Sequence, residues 1–248
     1  MEIFSFHVLH SYICNMKIID QSYEITPLID FNKQLQTIES CGRIAYQSED
    51  AITPDSASKF VAMIKTRNHG AVLEHSTMSV KFITDRGISH ELVRHRLASF
   101  TQESTRYCSY IKDKFDGQIT VIRPPWTSKS LLGEWLIDEK NPDALVKRVW
   151  DSKVPLVESA WLTSMFQSEN TYLLLLKKGW SPQQARSVLP NSLKTSIVVT
   201  ANFREWLHIF QLRAIEKAAH PQMRDLMIPL YEECRKACPE IFNLGDPE

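Results

Sequence analysis

Residues 78–107 read MSVKFITDRGISHELVRHRLASFTQESTRY, and the rest of the chain can be interpreted outward from this stretch. Apolar residues alternate from Met78 to Phe82, and a period of two predicts a half-buried strand. Residues 85–87 then predict a turn into a helix from about Ile88 to Leu97. Because that helix is expected to end near Leu97, the polar remainder is predicted as a loop that can wrap around a ligand.

The flanking sequence adds mostly helices and a few short strands. Met16 opens the first predicted strand in MKIIDQSYEI, and further strands are predicted at Thr120–Ile122 and Leu193–Thr200. Helical periodicity is predicted over Phe31–Gln47, Asp55–Arg67, Ala144–Lys177 with a break at Pro155, Ser181–Leu189, Asn202–Ala219 and Pro221–Ala237. This order predicts a single helix-rich α+β domain over residues 16–248 with a small, mainly antiparallel sheet. Residues 1–15 are interpreted as an N-terminal extension.

Composition disfavours several classes of protein. The 29 basic and 29 acidic side chains balance, whereas a non-specific nucleic-acid binder normally carries a basic excess. No apolar run approaches the length of a membrane span, and Met1–Cys14 lacks the basic start and cleavage site of a signal peptide. Five scattered cysteines favour a reducing compartment over a disulfide framework. We therefore expect a cytoplasmic protein that binds neither nucleic acid nor membrane.

Two groups of potential metal ligands in the sequence are interpreted as not forming a metal site. His90 and His95 resemble the HExxH zinc motif with one residue added. On a regular helix these two residues lie roughly 140° apart and cannot share one ion. Cys234 and Cys238 are four residues apart on a predicted helix, which is not CxxC spacing, and no second His or Cys pair stands near them. No bound metal is predicted.

The densest polar cluster runs from Arg94 to Tyr107 and contains three arginines and a histidine within 13 residues. Planar guanidinium groups suit phosphate and carboxylate ligands. From the residues alone, two other interpretations stay open, a solvated basic helix end and a nucleic-acid-binding module. Ser104 lacks the GxSxG setting of a serine nucleophile and is expected to hydrogen-bond to a ligand.

The helix predicted after Asn202 carries polar residues on both borders of its apolar stripe. On a regular helix Arg204 and His208 lie on one flank, whereas Arg213 and His220 lie on the other. One small ligand cannot easily touch both flanks. Either the site is assembled from several subunits, or this is an ordinary amphipathic helix with charged borders.

Arg94-His95-Arg96, followed after seven residues by Ser104 and then by Arg106-Tyr107, resembles the RHR-x7-S signature of flavin-dependent thymidylate synthases. Other blocks resemble that family in the same order: His69-Gly70 with Glu74-His75, the run Ala185–Pro190 around Arg186, and the run from Asn202 to Arg213. The resemblance covers roughly Met16 to Phe242. It implies the α+β fold of the thymidylate synthase-complementing proteins, in a homotetramer whose active sites are shared between subunits.

The resemblance also implies roles for individual residues. Those implied to contact FAD are Arg94, His95, Arg96, Gln102, Asn202, Arg204 and His208. Those implied to surround dUMP are Glu91, Arg94, Glu103, Ser104, Arg106, Arg186 and Arg213. Arg213 is implied to polarise the pyrimidine, and His69 resembles a residue near the flavin ring and the folate. Ala71 departs from the family, because a hydroxyl residue that contacts FAD often stands at its position.

The activity implied by the resemblance is the methylation of dUMP at C5 to give dTMP. 5,10-Methylenetetrahydrofolate supplies the one-carbon unit, NADPH reduces FAD, and no enzyme nucleophile is bonded to the pyrimidine. The expected location is the cytoplasm, or the host cytoplasm for a viral protein. Cys108 has two interpretations, a nucleophile or a small residue beside the substrate loop. A flavoprotein or nucleotide-binding regulator without activity is a further alternative.

Overall fold

The computed structural model of the chain describes residues 15–110, 117–136 and 154–247. The chain divides into two compact units that alternate along the sequence. The first unit takes residues 1–21, 84–87 and 103–195, and the second unit takes residues 22–83, 88–102 and 196–248. Of the extension interpreted at residues 1–15, all but Asn15 lies outside the described residues. A single domain over residues 16–248 stays a prediction.

In chain order, the strands are β1 (Asn15–Ile19), β2 (Ser22–Ile25), β3 (Thr77–Asp85), β4 (Ala98–Gln102), β5 (Thr120–Ile122), β6 (Gly133–Leu136) and β7 (Lys194–Asn202). The α-helices are α1 (Phe31–Tyr46), α2 (Ser56–Thr66), α3 (Arg86–Leu92), α4 (Leu156–Lys177), α5 (Pro182–Ala185), α6 (Phe203–Phe210), α7 (Pro221–Ala237) and α8 (Pro239–Phe242). Short 3₁₀ turns lie at Glu49–Ala51, Gly70–His75, Lys129–Leu131 and Arg186–Val188, and a π-helical turn spans Gln211–Ile215. Among the helices that the structure describes, none is long and apolar enough to cross a bilayer.

A four-stranded sheet in the order β2-β3-β7-β4 is the framework of the second unit. β2 pairs antiparallel with β3, and β4 pairs antiparallel with β7. Buried residues alternate along β3 and β7, so one face of the sheet covers the apolar core. Trp206 of α6 is fully buried in that core, and its indole N–H donates to the carbonyl of Met78 in β3 at 2.9 Å. This bond fixes α6 against the sheet.

A three-stranded sheet in the order β5-β1-β6 belongs to the first unit. β1 is parallel to β5 and antiparallel to β6. Ile18 of β1, Val121 of β5 and Phe166 of α4 lie in one buried apolar cluster. Glu169 of α4 is fully buried, and its Oε1 accepts a hydrogen bond from the backbone N–H of Ile119 at 2.8 Å. A buried carboxylate needs such a partner, and the bond joins α4 to the segment that enters β5.

The predicted α+β class is confirmed, but the described strands form two sheets instead of one small sheet. The run MKIIDQSYEI was interpreted as one strand. It divides after Ile19, because β1 pairs with β5 and β6 whereas β2 pairs with β3 in the other sheet. Period-two alternation identifies an extended segment but contains no information about its hydrogen-bonding partner.

The helix predicted from about Ile88 to Leu97 is wrong in length, and the loop predicted after it is partly a strand. Helix α3 ends at Leu92, residues 93–97 form an irregular turn, and β4 follows as an edge strand of the sheet. The β-branched and aromatic side chains at Phe100 and Thr101 favour extended backbone. Pairing of the whole of β4 with β7 satisfies backbone groups that a free loop would leave to water.

Most other helices lie where the sequence places them. The helices predicted at Phe31–Gln47, Asp55–Arg67 and Pro221–Ala237 are confirmed as α1, α2 and α7. Helix α4 begins directly after Pro155, whereas the helical pattern before it lies largely outside the described residues. The Gln184 side chain accepts from the N–H of Ser181 at 2.9 Å, as expected for a capped start. However, the α-helix there ends at Ala185 and continues as the 3₁₀ turn Arg186–Val188.

Candidate active site

A cavity of about 860 Å³ in the second unit is lined mainly by the turn 93–97 and by helix α6 with the π-helical turn that follows it. Its wall consists of Glu74, Arg94, His95, Arg96, Leu97, Asn202, Arg204, Glu205, His208, Leu212 and Arg213. Seven of these residues are ones that the sequence assigns to a site: Arg94, His95, Arg96, Asn202, Arg204, His208 and Arg213. The RHR run and the C-terminal block therefore meet at one place.

The turn 93–97 contains one buried histidine between two exposed arginines. The backbone N–H of His95 donates to the carbonyl of Leu92 at 3.2 Å, so the chain leaves α3 in a tight turn. Leu92 and His95 are buried, whereas Arg94 and Arg96 are exposed. A tight turn alternates the direction of successive side chains, and it thereby places both guanidinium groups at the cavity while the imidazole between them packs inward.

The start of α6 is held by the cap that the sequence predicts. The Asn202 Oδ1 accepts from the backbone N–H of Glu205 at 2.8 Å, which satisfies a donor that no helical carbonyl can reach. The helix does not run to Ala219 as predicted. It is α-helical to Phe210 and then passes into the π-helical turn, where the N–H of Glu216 donates to the carbonyl of Gln211 at 3.0 Å.

This π-helical turn overturns the expectation that Arg204 and His208 lie on a different flank from Arg213. All three residues line the same cavity. Five residues of regular α-helix would rotate Arg213 by roughly 140° from His208. The π-helical turn closes its hydrogen bonds over five residues, so each of its residues turns through a smaller angle and the rotation from His208 to Arg213 is reduced. The flank geometry of this helix therefore gives no support to a site shared between subunits.

Two acceptors hold the Arg213 side chain. Its Nη1 donates to Glu91 Oε2 at 3.0 Å, and its Nε donates to His95 Nε2 at 3.1 Å. The side chains of Arg213 and Glu91 are 21% and 33% exposed, so the ion pair is partly accessible to solvent and does not lie in the core. The Nη2 group donates to none of the residues that the structure describes, and it is available to a ligand.

His95 is only 5% exposed and lies between a cation and a carboxylate. Burial, with electrostatic repulsion by Arg213 and His208 as smaller causes, lowers the pKa of His95 from 6.5 to about 4. The imidazole is therefore neutral at pH 7. Glu205 Oε1 lies 3.8 Å from His95 Nδ1, and burial raises the pKa of Glu205. The His208 ring stands edge-on to His95 with 6.1 Å between ring centres.

Arg204 and His69 are connected through Gly70. Arg204 Nη1 donates to Glu74 Oε1 at 2.7 Å in an exposed ion pair. A Cβ atom at Gly70 would lie 3.3 Å from Arg204 Nε, so the glycine permits close packing of the two segments. The His69 Nδ1 is 2.8 Å from the Tyr46 hydroxyl, and His69 does not itself line the cavity.

The first unit holds the other residues that the sequence assigns to dUMP. Glu103 accepts from Lys194 Nζ at 2.8 Å and from the Tyr110 hydroxyl at 3.3 Å, and the pKa of Tyr110 is raised by burial and by this carboxylate. Arg186 Nη1 donates to the Thr105 hydroxyl at 3.4 Å, which is a weak bond.

The Arg106 guanidinium lies 5.4 Å from the centre of the Tyr107 ring, and its backbone N–H donates to Ser104 Oγ at 3.3 Å. Of the sequence-assigned residues, Glu91, Arg94 and Arg213 belong to the second unit, whereas Glu103, Ser104, Arg106 and Arg186 belong to the first. Cys108 is a half-buried free thiol in the first unit, and its two interpretations stay open.

The profile of the thymidylate synthase complementing protein family matches residues 27–240. This chain belongs to that family. The flavin-dependent thymidylate synthase of Corynebacterium diphtheriae is 32% identical to it over 213 residues, which cover 83% of this chain and 77% of that protein. The enzyme of the same name from Mycolicibacterium vanbaalenii is 32% identical over 214 residues, with the same two coverages.

Solved structures agree with this family fold. The UMP/dUMP methylase PolB from Streptomyces cacaoi bound with 5-Br dUMP has a TM-score of 0.64 and 19% identity, and the match covers 92% of this chain and 95% of that one. The same methylase bound with 5-Br UMP gives a TM-score of 0.64 and 16% identity over 92% and 94%. At such identities the likeness concerns the fold alone. The resemblance inferred from the RHR run is confirmed, and the chain is a methyltransferase enzyme.

Some cavity residues of this family member were not found from the sequence. Glu205 and Leu212 line the cavity, but both lie in a helical pattern where nothing marks them as different from core or surface positions. Leu97 follows the RHR run directly and was interpreted only as a helix end. Gln102 was assigned to the flavin, but its Nε2 donates to Ser89 Oγ at 2.8 Å and it does not line the cavity.

Proposed function

We propose that this chain is a flavin-dependent thymidylate synthase that methylates dUMP at C5 to give dTMP. The observation that carries the proposal is the cavity of the second unit, where Arg94, Arg96 and Arg213 line one wall. These arginines come from two sequence blocks more than a hundred residues apart, both of which resemble the family. The proposed one-carbon donor is 5,10-methylenetetrahydrofolate, and the proposed reductant is NADPH, acting through FAD.

The donor set of the cavity supports FAD as the cofactor. Within the described part of the chain, the side chains of Arg94 and Arg96 have no hydrogen-bond or ion-pair partner, so both can bind a diphosphate bidentately. Leu97 and Leu212 line the same cavity and are 77% and 39% exposed, which suits contact with a planar ring system. Bound FAD supplies the redox chemistry of the reaction, and the protein supplies orientation and field.

Asn202, Arg204 and His208 complete the proposed FAD site. The side-chain oxygen Oδ1 of Asn202 caps α6, which leaves the NH₂ group of the same side chain as a donor to the ligand. Arg204 is paired with Glu74, but an exposed ion pair of this kind is worth under about 1 kcal/mol and yields easily to a phosphate. His95 is too buried to contribute much of its ring to the cofactor.

Arg213 is the residue proposed to activate the pyrimidine. Loss of the uracil N3 proton delocalises negative charge over the two carbonyl oxygens and raises the electron density at C5. A guanidinium beside that edge lowers the free energy of the anion, and it keeps its own proton at any working pH. This is stabilisation of developing charge by a group already in place. A nucleophilic C5 then needs no thiolate at C6.

Arg106 and Arg186 are proposed to bind the dUMP phosphate, with Ser104 and Glu103 beside them. Neither guanidinium is paired with a carboxylate among the described residues of the first unit, so both charges are available to an anion. His69 is proposed to lie near the flavin and the folate, oriented by the Tyr46 hydroxyl. The homotetramer with shared sites, the cytoplasmic location or host cytoplasm, and the single domain over residues 16–248 are proposed on the family resemblance.

A reconstitution assay tests this function. Purified protein should be yellow or take up FAD, oxidise NADPH faster when dUMP is added, and form dTMP detectable by mass spectrometry. The control contains every component except methylenetetrahydrofolate. We expect it to oxidise NADPH without forming dTMP. Colourless protein that takes up no FAD and forms no dTMP contradicts the proposal. Binding of FAD and dUMP without dTMP indicates an inactive regulator, and salt-sensitive RNA or DNA binding indicates a nucleic-acid module.

A further inference from the structure

We propose that His95 is a positioning residue, which accepts a hydrogen bond from Arg213 Nε at its own Nε2 and thereby fixes the guanidinium that faces the pyrimidine. The geometric basis is the 3.1 Å distance between Arg213 Nε and His95 Nε2. The consequence for dUMP rests on the proposed function. The assignment differs from the one implied by the resemblance, in which His95 contacts FAD.

The hydrogen-bond chemistry of this pair permits only one form of the histidine. A guanidinium has donors and no acceptor, so the nitrogen that faces it must carry a lone pair. His95 Nε2 is therefore unprotonated, and a neutral ring carries its proton on Nδ1. The Glu205 carboxyl group stands on the Nδ1 side at 3.8 Å, where its oxygen favours a proton on that nitrogen. Burial lowers the pKa of His95 and keeps the ring neutral.

His95 and Glu91 constrain Arg213 in different ways. Glu91 is a charged and partly exposed acceptor, so water competes for its oxygens. His95 is a neutral acceptor in the protein interior, where a hydrogen bond is shielded from water. Glu91 partly neutralises the guanidinium charge that the chemistry uses, whereas a neutral imidazole leaves that charge intact. Two acceptors on different nitrogens also fix the rotation of a side chain that is otherwise flexible.

The backbone explains why Arg213 requires such support. The residue lies within the π-helical turn Gln211–Ile215, which turns its side chain to the same cavity as His208. A π turn is a local departure from regular helix, so the side chain that it redirects gains from a second anchor. His95 comes from the turn 93–97, and the bond between the two residues joins the two irregular segments of the cavity wall.

Two substitutions at His95 separate an acceptor role from a packing role. In His95→Gln, the terminal amide oxygen reaches the place of Nε2 and can still accept from Arg213 Nε. In His95→Asn, the shorter side chain reaches only the place of Nδ1 and leaves Arg213 Nε without this acceptor. Both variants lose the imidazole ring, so each serves as the control for loss of ring packing in the other.

The measurements are FAD content, the dUMP dissociation constant, and kcat and KM for dUMP at saturating NADPH and folate. We expect His95→Gln to stay within roughly threefold of wild type in kcat/KM for dUMP. We expect His95→Asn to lose about 10- to 100-fold in kcat/KM with FAD content unchanged, since a misplaced catalytic group loses activity on this scale. Equal losses in both variants, or a loss of FAD as the main effect, would overturn the proposal.

Nuclear magnetic resonance of ¹⁵N-histidine-labelled resting protein tests the same inference without turnover. We expect the His95 Nε2 signal to be that of an unprotonated nitrogen and the Nδ1 signal that of a protonated one. In Arg213→Ala we expect the His95 pKa to rise, because one repelling charge is removed. A proton on Nε2 in wild type overturns the inference. If wild type instead forms no dTMP while the tautomer is as expected, the proposed function fails and the positioning contact stands.

Discussion

Cations of this protein are used in two different ways, and one example of each comes from a different unit. In the first unit, Lys194 donates to Glu103, and Arg123 donates to Asp20 at 2.7 Å. On the cavity wall of the second unit, Arg94 and Arg96 have no such partner within the described chain. A cation paired with a carboxylate contributes to folding, whereas an unpaired one is free to bind an anionic ligand. Arg213 is intermediate, because it is paired and oriented yet keeps one nitrogen available.

Replacing Arg213 should give the largest effect. We expect Arg213→Ala to lower dTMP formation by about a thousandfold or more while FAD content persists, because the charge that stabilises the pyrimidine anion is removed. Arg213→Lys is the matched control, since it keeps a positive charge but loses the fork that engages Glu91 and His95. Mass spectrometry measures dTMP formation, and flavin absorbance measures FAD content. Loss of FAD with the rate per bound flavin intact would reverse the assignment of Arg213.

Acid should weaken the second unit through His95. Its pKa is about 4 in the folded protein and about 6.5 in the unfolded chain, so the unfolded chain binds more protons between these values. The free energy of unfolding should therefore fall as pH drops from 6.5 to 4, by roughly 3 kcal/mol in total from this residue. Urea unfolding at several pH values measures this change in unfolding free energy, and His95→Gln is the control because it lacks the titrating imidazole. An equal dependence of the unfolding free energy on pH in wild type and His95→Gln would contradict the low pKa of His95.

The sequence predicts most of the regular fold because that information is local. Apolar periodicity, the Asn202 cap and the proline that opens α7 are each legible within a few residues. Two features of the site are not local. The turn 93–97 exists because β4 pairs with β7, about a hundred residues away, and the π-helical turn has no compositional marker. The residues around Arg213 could be identified from the sequence, but their arrangement on one wall could not.

A matched pair of cation removals separates the two uses of charge. We expect Lys194→Met to cost about 2 kcal/mol of unfolding free energy, because the Glu103 carboxylate is largely buried and loses its charged partner. We expect Arg96→Gln to change stability by under about 0.5 kcal/mol but to weaken FAD binding by roughly tenfold. Urea unfolding of the proteins without flavin and flavin titration measure the two effects. A large stability loss in Arg96→Gln would break the distinction between paired and unpaired cations.

The smallest effect is expected at Cys108. Replacing it tests whether the fixed Arg213 cation or the Cys108 thiol makes the pyrimidine C5 reactive. If Arg213 makes C5 nucleophilic, no thiolate has to add to C6, and Cys108→Ala should keep dTMP formation within about threefold of wild type. The half-buried thiol lies in the first unit, where its backbone N–H donates to the carbonyl of Ser104 at 3.0 Å. Alanine preserves that bond, so any loss must come from the sulfur. Complete loss of turnover with intact FAD and dUMP binding would establish Cys108 as the nucleophile and remove the reason for a fixed guanidinium at the pyrimidine.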